Sequence, residues 1–242
     1  MKRVSIATYS ILPLLWAPDG AAALTPVSAC GTIVSGAAEL VADLDCSAYP
    51  GSAVIILGRG HLRLNGFTIT ANTGMQETDL AGIECRALVP GKTERCKIRG
   101  PGTVVGGTVG IDGGLAPCIS DVTVIGAGTA GIIGGKAVIR DSVIQGNGAL
   151  AVQYSGRGVY AGSVVLTGSD VSGNAEQGVW SNGGHLRLTR SSVADNGVSP
   201  NCASEPNLCA DLVGYETPRL RDSTCGTSKH VNHTTFGVCA SD

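Results

Sequence analysis

The stretch that decides the fold is Ile139-Arg-Asp-Ser-Val-Ile-Gln-Gly-Asn147, because the chain repeats its pattern twice more. The copies are Leu166-Thr-Gly-Ser-Asp-Val-Ser-Gly-Asn174 and Leu188-Thr-Arg-Ser-Ser-Val-Ala-Asp-Asn196. Each begins with an aliphatic residue and has serine at +3, a second aliphatic residue at +5 and asparagine at +8. Weaker copies begin at Leu64, Ile98, Ile119 and Leu220. A pattern that recurs in this way is typical of a solenoid, in which each unit stacks on the next.

A second motif lies between these copies and consists of a glycine, an aliphatic residue and a variable residue. Its members are Gly82-Ile83-Glu84, Gly110-Ile111-Asp112, Gly131-Ile132-Ile133, Gly158-Val159-Tyr160 and Gly178-Val179-Trp180. Apolar residues at alternate positions predict short strands that bury one face. Strands this short close a core only by stacking on one another.

We therefore predict an all-β fold, a single-stranded right-handed parallel β-helix of about seven turns with about 20 residues per turn. A β-sandwich would also explain the strands, but not the repeated +3, +5 and +8 spacing.

The N-terminus has the pattern of a secretory signal peptide. Lys2 and Arg3 precede a short apolar run over 6–16, and small residues follow at Ala21 and Ala23. The run is shorter than the roughly 20 residues that span a bilayer, so we expect no membrane span. We predict a signal peptide over 1–23 and a β-helix domain over 24–242. Within that domain we assign 24–60 to an N-terminal cap and first turn, 61–224 to repeat turns and 225–242 to a C-terminal cap.

All nine cysteines lie beyond the predicted signal peptide. Disulfides persist in oxidising compartments, which fits an extracellular or periplasmic protein. No CxxC pair is present, so disulfides are favoured over a metal site, and we predict no cysteine or histidine metal centre. Pairing by sequence proximity leaves Cys118 free, although spacing alone does not determine connectivity. The predicted disulfides are Cys30–Cys46, Cys85–Cys96, Cys202–Cys209 and Cys225–Cys239.

The chain resembles the pectate-lyase-like right-handed parallel β-helix proteins, in particular secreted bacterial members. The resemblance rests on Cys30-Gly31-Thr32, Asp43-Leu44-Asp45-Cys46 and Leu64-Asn-Gly-Phe-Thr-Ile69, and it covers about residues 28–240. That superfamily includes polysaccharide lyases, hydrolases, epimerases and adhesins, so the fold alone does not determine the function. In its polysaccharide-active members the cleft lies along the strand column that corresponds to our second motif.

The variable residues of the second motif should point outward and form one line along the axis. Tyr160 and Trp180 would then offer apolar ring faces to sugars. Glu84 and Asp112 would form a carboxylate pair on neighbouring turns, suited to glycoside hydrolysis or to binding a Ca²⁺ ion that neutralises a uronate. The catalytic candidates are Glu84, Asp112 and Arg157, and the substrate-binding candidates are Tyr160, Gln177, Trp180 and Asn182. Outward aromatic residues that merely cap insertions are the alternative interpretation.

Other repeated residues are better explained by structure. Asparagines at +8 predict a ladder of stacked amides, and asparagine also tolerates the left-handed backbone expected at a bend. We assign Asn72, Asn147, Asn174 and Asn196 to this ladder, and Ser142, Ser169 and Ser191 to a similar serine row. Insertions over 73–79, 148–156 and 197–210 would flank the groove.

A basic stripe accompanies the first motif and is either a solvated face with ion pairs between turns or a surface that binds an acidic polymer. It comprises Arg63, Lys97, Arg99, Arg140, Arg187, Arg219 and Arg221.

Together these patterns predict a secreted β-helix protein that engages a polysaccharide, with an acidic polymer as one candidate. A lyase-like or hydrolase-like enzyme and a non-catalytic surface, adhesion or structural protein remain open, because the sequence lacks the motif sets of pectin hydrolases and alginate epimerases. The formal net charge of −2 does not suggest nucleic acid as a partner. We expect a monomer.

Overall fold

The computed structural model describes residues 23–74, 80–89, 93–148, 150, 156–200, 202 and 209–242. Residues 1–22 of the predicted signal peptide lie outside the described residues, as do most residues of the three predicted insertions. Among the described residues, no helix has the length and apolar character needed to cross a membrane.

The strands stack in three columns that run along one axis. The first column contains the second motif, and its strands are β2 (Thr32–Val34), β5 (Val54–Leu57), β8 (Ala81–Arg86), β11 (Val109–Asp112), the first part of β14 (Ala130–Arg140), the first part of β16 (Arg157–Thr167), β18 (Gln177–Ser181), β21 (Ala210–Gly214) and β24 (Ser228–His230).

Each copy of the first motif begins in a strand of the second column. Its strands are β1 (Thr25–Val27), β3 (Ala37–Leu40), β6 (His61–Arg63), β9 (Lys97–Arg99), β12 (Cys118–Ser120), the later parts of β14 and β16, β19 (Leu186–Thr189) and β22 (Arg219–Arg221). Because β14 and β16 run through both columns, these two columns form one 16-stranded sheet.

The third column is a separate 8-stranded sheet. It contains β4 (Leu44–Cys46), β7 (Thr68–Ala71), β10 (Thr103–Gly106), β13 (Thr123–Ile125), β15 (Val143–Gln145), β17 (Asp170–Ser172), β20 (Ser192–Ala194) and β23 (Thr224–Cys225).

All the strand pairings within the two sheets are parallel, which confirms the all-β parallel β-helix. The third column has eight strands where about seven turns were expected. The additional rung contains β4, which lies in the segment assigned to the cap and first turn.

Aliphatic residues from all three columns stack in the centre of the solenoid. In the second column Ile98, Ile119 and Ile139 are opposite one another on successive rungs, and each is at most 1% exposed. Strand pairing places Leu62, and not Leu64, opposite Ile98. The first full copy of the motif therefore begins two residues earlier than predicted, and Leu64 is an additional buried residue at a longer corner.

The second-motif glycines lie where the first and third columns approach each other. A Cβ atom on Gly158 would come within 2.6 Å of Asn174 Nδ2, and one on Gly178 would come within 2.5 Å of Asn196 Nδ2. Real Cβ atoms do not make contacts this short, so glycine is needed for close approach rather than for a left-handed backbone. The second motif thus leaves space for the asparagine ladder.

The ladder itself is present in the C-terminal half of the solenoid. Asn147 Nδ2 donates to Asn174 Oδ1 at 2.9 Å, and Asn174 Nδ2 donates to Asn196 Oδ1 at 2.8 Å. The same two oxygens accept the backbone N–H groups of Asn147 and Asn174. Asp211, which occupies a second-motif glycine position, ends the row by accepting from Asn196 Nδ2 at 2.8 Å.

Two expectations about the ladder were wrong. Asn72 does not join it, because Gly107 and Ala127 occupy the corresponding position on the two rungs that follow; its amide contacts Tyr49 and Gly74 instead. The left-handed residue of the bend is also not the asparagine. It precedes the asparagine position, as Gly146 (φ 60°), Gly173 (φ 61°) and Asp195 (φ 58°) show.

The serine row is a second hydrogen-bonded row at the other end of the third column. Ser169 Oγ accepts the backbone N–H of Ser142 at 3.3 Å, and Ser191 Oγ accepts that of Ser169 at 3.2 Å. Each hydroxyl also donates to the backbone carbonyl two residues earlier. These serines are engaged in structure, as their repetition predicted.

The four predicted disulfides are all present, and Cys118 is the free cysteine. Cys30–Cys46 closes the N-terminal rung, and Cys225–Cys239 holds the C-terminal segment against β23. The disulfides therefore tie down the ends of a stack whose terminal strands would otherwise expose unpaired edges.

The ladder predicts that an Asn→Ala substitution lowers the free energy of unfolding more inside the ladder than outside it. Asn174→Ala should lower the free energy of unfolding by on the order of 3 kcal/mol, because it leaves buried N–H groups of Asn147 without an acceptor. Asn72→Ala, outside the ladder, should cost less than about 1 kcal/mol. Urea unfolding of both variants measures this difference, and equal losses would show that the buried amide row does not carry the stability assigned to it.

Candidate functional site

The outward residues of the second motif form the line that the sequence predicted. Glu84 lies opposite Asp112, Asp112 opposite Ile133, Ile133 opposite Tyr160 and Tyr160 opposite Trp180. The neighbouring residues Ile83, Ile111, Val159 and Val179 are fully buried, so the column presents its variable residues to the surface. At ~4.8 Å per rung, the line from Glu84 to Trp180 is roughly 19 Å long.

Arg157 lies at the centre of the C-terminal part of this line. Its guanidinium carbon is 4.5 Å from the centroid of the Tyr160 ring and 4.4 Å from that of the Trp180 ring. Its Nε donates to Gln177 Oε1 at 3.1 Å. Two cation–π contacts and a hydrogen bond therefore hold one side chain in a defined position.

The two rings form a corner around this cation. Their centroids are 5.8 Å apart and their planes are nearly perpendicular, at 88°. Asn182 Nδ2 donates to the Tyr160 hydroxyl at 3.0 Å, which helps to hold the Tyr160 ring in position. The Trp180 indole N–H is buried and has no hydrogen-bond partner within the described part of the chain. Trp180 is thus held by contacts to its ring rather than by its polar atom.

We name this group the aromatic–arginine cluster: Arg157, Tyr160, Gln177, Trp180 and Asn182. It unites every predicted substrate-binding residue with one of the three catalytic candidates. The ring faces, which the sequence analysis assigned to sugars, are partly covered by the guanidinium. The rings therefore position a cation as well as offering apolar surface.

Arg157 is a partly buried cation, and its burial affects its pKa. Burial lowers the pKa of Arg157, while the nearby Tyr160 phenol and Glu176 carboxyl group oppose that shift. Arginine nonetheless stays protonated near neutral pH because its ordinary pKa is so high. Its two terminal nitrogens make no hydrogen bond or ion pair with the described residues. A positioned cation with unused donors is suited to an anionic group.

Glu84 and Asp112 lie apart from this cluster. They are adjacent to each other, but Asp112 is two rungs from Tyr160, or ~10 Å along the axis. Glu84 forms an ion pair with Arg86, and its Oε2 also accepts from Ser52 Oγ at 2.7 Å. Asp112 Oδ1 accepts the backbone N–H of Gly114 at 3.0 Å. Both carboxylates therefore have partners in the folded chain.

These contacts do not fit a Ca²⁺ ion, which was one of the two roles considered for the carboxylate pair. Both oxygens of Glu84 already bond to Arg86 or Ser52, and an adjacent guanidinium opposes a divalent cation. Calcium sites instead collect six to eight oxygen ligands. Over the described ranges, no group of three or more His, Cys, Asp or Glu side chains is arranged to hold a metal ion.

Sequence reasoning missed Glu176, a residue that is only 3% exposed and whose carboxyl group raises the pKa of Arg157. The missed signal was its position, because it directly precedes β18, whose residues Gln177 and Trp180 were assigned to the site. A concavity of about 540 Å³ lies elsewhere, at the serine row. It is an open corner lined by residues that the fold repeats, so we do not assign it a function.

Comparisons with known proteins add little to this geometry. No protein-family model and no curated protein matches the sequence. Among solved structures, the chain is similar to the enzymatically active domain of bacteriophage CBA120 tailspike protein 2. The TM-score is 0.47 and the identity 14%, over 82% of this chain and 35% of that chain. The chain thus spans about a third of that structure, and the fold assignment rests on the strand pairing above.

The cation–π contact predicts energetic coupling between Arg157 and Trp180. In a double-mutant cycle with Arg157→Gln and Trp180→Leu, we expect a coupling free energy of about 0.5–2 kcal/mol, measured by urea unfolding. The pair Arg187 and Trp180, with Arg187→Gln as the matched charge removal on another column, should give additive effects. Additivity for Arg157 and Trp180 as well would contradict the arrangement of the cluster.

Proposed function

We propose that this chain is a secreted glycan-binding β-helix protein whose aromatic–arginine cluster binds a carboxylate of an acidic saccharide. The four disulfides support export, because such bonds persist outside the reducing cytosol. Membership of the pectate-lyase-like superfamily is part of this proposal and rests on the sequence resemblance.

The observation that carries the proposal is the state of Arg157. Its guanidinium is fixed by Tyr160, Trp180 and Gln177, and its terminal nitrogens have no partner among the described residues. A planar guanidinium whose terminal N–H groups have no partner among the described residues matches a carboxylate in a bidentate geometry. Because the side chain is already held in place, binding would cost little additional side-chain entropy.

The cluster also offers groups for a neutral part of a sugar. The Asn182 amide and the Tyr160 hydroxyl lie 3.0 Å apart and could exchange hydrogen bonds with sugar hydroxyls. The exposed parts of the two rings add apolar contact. A uronate combines these features, because it carries one carboxylate and several hydroxyls on one ring.

Binding without catalysis is favoured over hydrolysis. The predicted carboxylate pair is two to three rungs from Arg157, and Glu84 is neutralised by Arg86. A pair engaged in this way is poorly suited to act as a general acid and a nucleophile on a saccharide bound at the cluster. A non-catalytic surface or adhesion role follows most directly.

A lyase activity is the second candidate, and one observation favours it. The Tyr160 phenol, which can transfer a proton, lies against the Arg157 guanidinium, which could hold the substrate carboxylate. If this alternative holds, incubation with pectate or alginate should release unsaturated products that absorb in the ultraviolet. Arg157→Lys should then reduce turnover more than affinity, whereas a binding protein yields no product from any polymer.

Binding can be followed through Trp180 itself. The only other tryptophan, Trp16, lies in the predicted signal peptide, so the processed protein would contain one tryptophan. Oligogalacturonate should change its fluorescence, and Arg157→Gln should weaken that binding at least tenfold, on the order of 1.5–3 kcal/mol. A neutral gluco-oligosaccharide should bind weakly to both proteins.

The matched control is Arg187→Gln, which removes the same charge from the second column. It should leave the affinity within about twofold, since a distant exposed charge is screened by salt. Equal weakening by the two variants would indicate diffuse attraction and contradict the proposed site. Calorimetry checks affinities independently of fluorescence, and urea unfolding shows whether each variant keeps its fold.

A further inference from the structure

A second group of cations lies on the second column near the N-terminal end. We define the basic cluster as Arg59, His61, Arg63, Arg95, Lys97 and Arg99. Strand pairing places His61 opposite Lys97 and Arg63 opposite Arg99 on neighbouring rungs. Like charges directly opposite each other destabilise a sheet, so this arrangement requires an explanation.

Carboxylates of the described residues do not neutralise the basic cluster. None of its members forms an ion pair with a described acidic residue. Glu39 lies opposite Arg63, but its Oε2 accepts from Asn65 Nδ2 at 2.9 Å. Glu94, beside Arg95, accepts the backbone N–H of Leu88 at 2.7 Å. The two nearest carboxylates in sequence or register are therefore directed to other partners.

The same cations line a concave surface. A cavity of about 340 Å³ is bordered by Arg59, Thr93, Arg95 and Lys97. Its lining consists of donors, with three cations and one hydroxyl, and the disulfide Cys85–Cys96 holds the segment that leads into it. An anion entering this cavity would face several charged donors at once, which is stronger than contact with one exposed lysine.

We infer that the basic cluster is a binding site for the sulfate or carboxylate groups of a polyanionic glycan. Cations repeat from rung to rung at ~4.8 Å, which suits a chain that carries anionic groups at regular intervals. The inference does not depend on the aromatic–arginine cluster, which lies on another column and several rungs away.

Glycan is favoured over nucleic acid because the cluster contains no Phe, Tyr or Trp side chain. Proteins that bind single strands combine cations with aromatic platforms on which bases stack. A lipid surface is less well matched, since the cavity is concave and its lining is polar. Leu88 and Val89 are nevertheless exposed on the neighbouring loop, so a vesicle measurement belongs in the test.

His61 provides a local signal of occupancy. Burial lowers its pKa, and Arg63, Arg99 and Lys97 lower it further. An anion bound among these cations would offset their effect and raise the pKa of His61. The imidazole signals of His61, assigned with His61→Asn, would report this change by NMR.

The experiment compares two double variants of the full chain. Arg59→Gln with Lys97→Gln removes two positive charges from the cavity. Arg187→Gln with Arg219→Gln removes two positive charges that lie opposite each other at the other end of the same column. With a heparin hexasaccharide as probe, we expect the first pair to weaken binding at least tenfold and the second by less than twofold. The hexasaccharide should also raise the pKa of His61 in the unmodified protein.

Several outcomes would overturn the inference. Equal weakening by the two double variants would indicate diffuse attraction, and an unchanged His61 titration would place the ligand elsewhere. Tighter binding to single-stranded DNA or to anionic phospholipid vesicles than to the hexasaccharide or oligogalacturonate would identify a different class of partner. Heparin also carries uronate carboxylates, so both double variants are compared in the Arg157→Gln background, which disables the aromatic–arginine cluster. Failure here and failure of the proposed function are then distinguishable.

Discussion

Each rung of this solenoid buries its aliphatic side chains only because the next rung covers them in register. A single turn offers three strands of two to six residues, or parts of longer ones, which is too little to close a core. Parallel pairing places Ile98, Ile119 and Ile139 directly over one another and links their backbones at the same time. Burial and hydrogen bonding therefore depend on one common register. A slip of one residue would expose the core side chains of a rung and disrupt all three columns.

The polar rows at the corners follow from that register. Backbone groups at a bend have no strand partner, so side chains must satisfy them. Asn147, Asn174 and Asn196 do this on consecutive rungs, and glycine in the second motif leaves the space they need. Asp211 then replaces a glycine where the asparagine row ends, and its second oxygen accepts from the Thr227 backbone. The C-terminal end of the ladder is thus closed by a change at one position.

The same stacking also organises the surface, because a fixed register aligns outward residues as strictly as inward ones. It places Tyr160 beside Trp180, where both can hold Arg157, and it places Arg63 beside Arg99 without a carboxylate between them. The two groups differ physically. One is a single cation that aromatic rings hold in a fixed position, and the other is a set of repeated cations around a cavity. A fold that must repeat its core can still vary its surface from rung to rung, which allows separate sites on separate columns.

The sequence by itself determined the parallel β-helix and the line from Glu84 to Trp180, and cysteine proximity predicted the four disulfides that the structure contains. These depend on periodicity and on proximity along the chain, both of which can be read from the order of residues. Only the tertiary structure showed that Leu62 begins the first full rung and that Asn72 lies outside the ladder, since corner lengths and gaps in a row appear only when rungs are paired. It also showed that Glu84 forms an ion pair with Arg86, and that the Arg157 guanidinium lies over the Tyr160 and Trp180 rings, which we had expected to contact sugars. Strand alternation predicts the face on which a side chain lies, but its contacts depend on rotamers and on neighbours from other rungs, which no repeat pattern encodes.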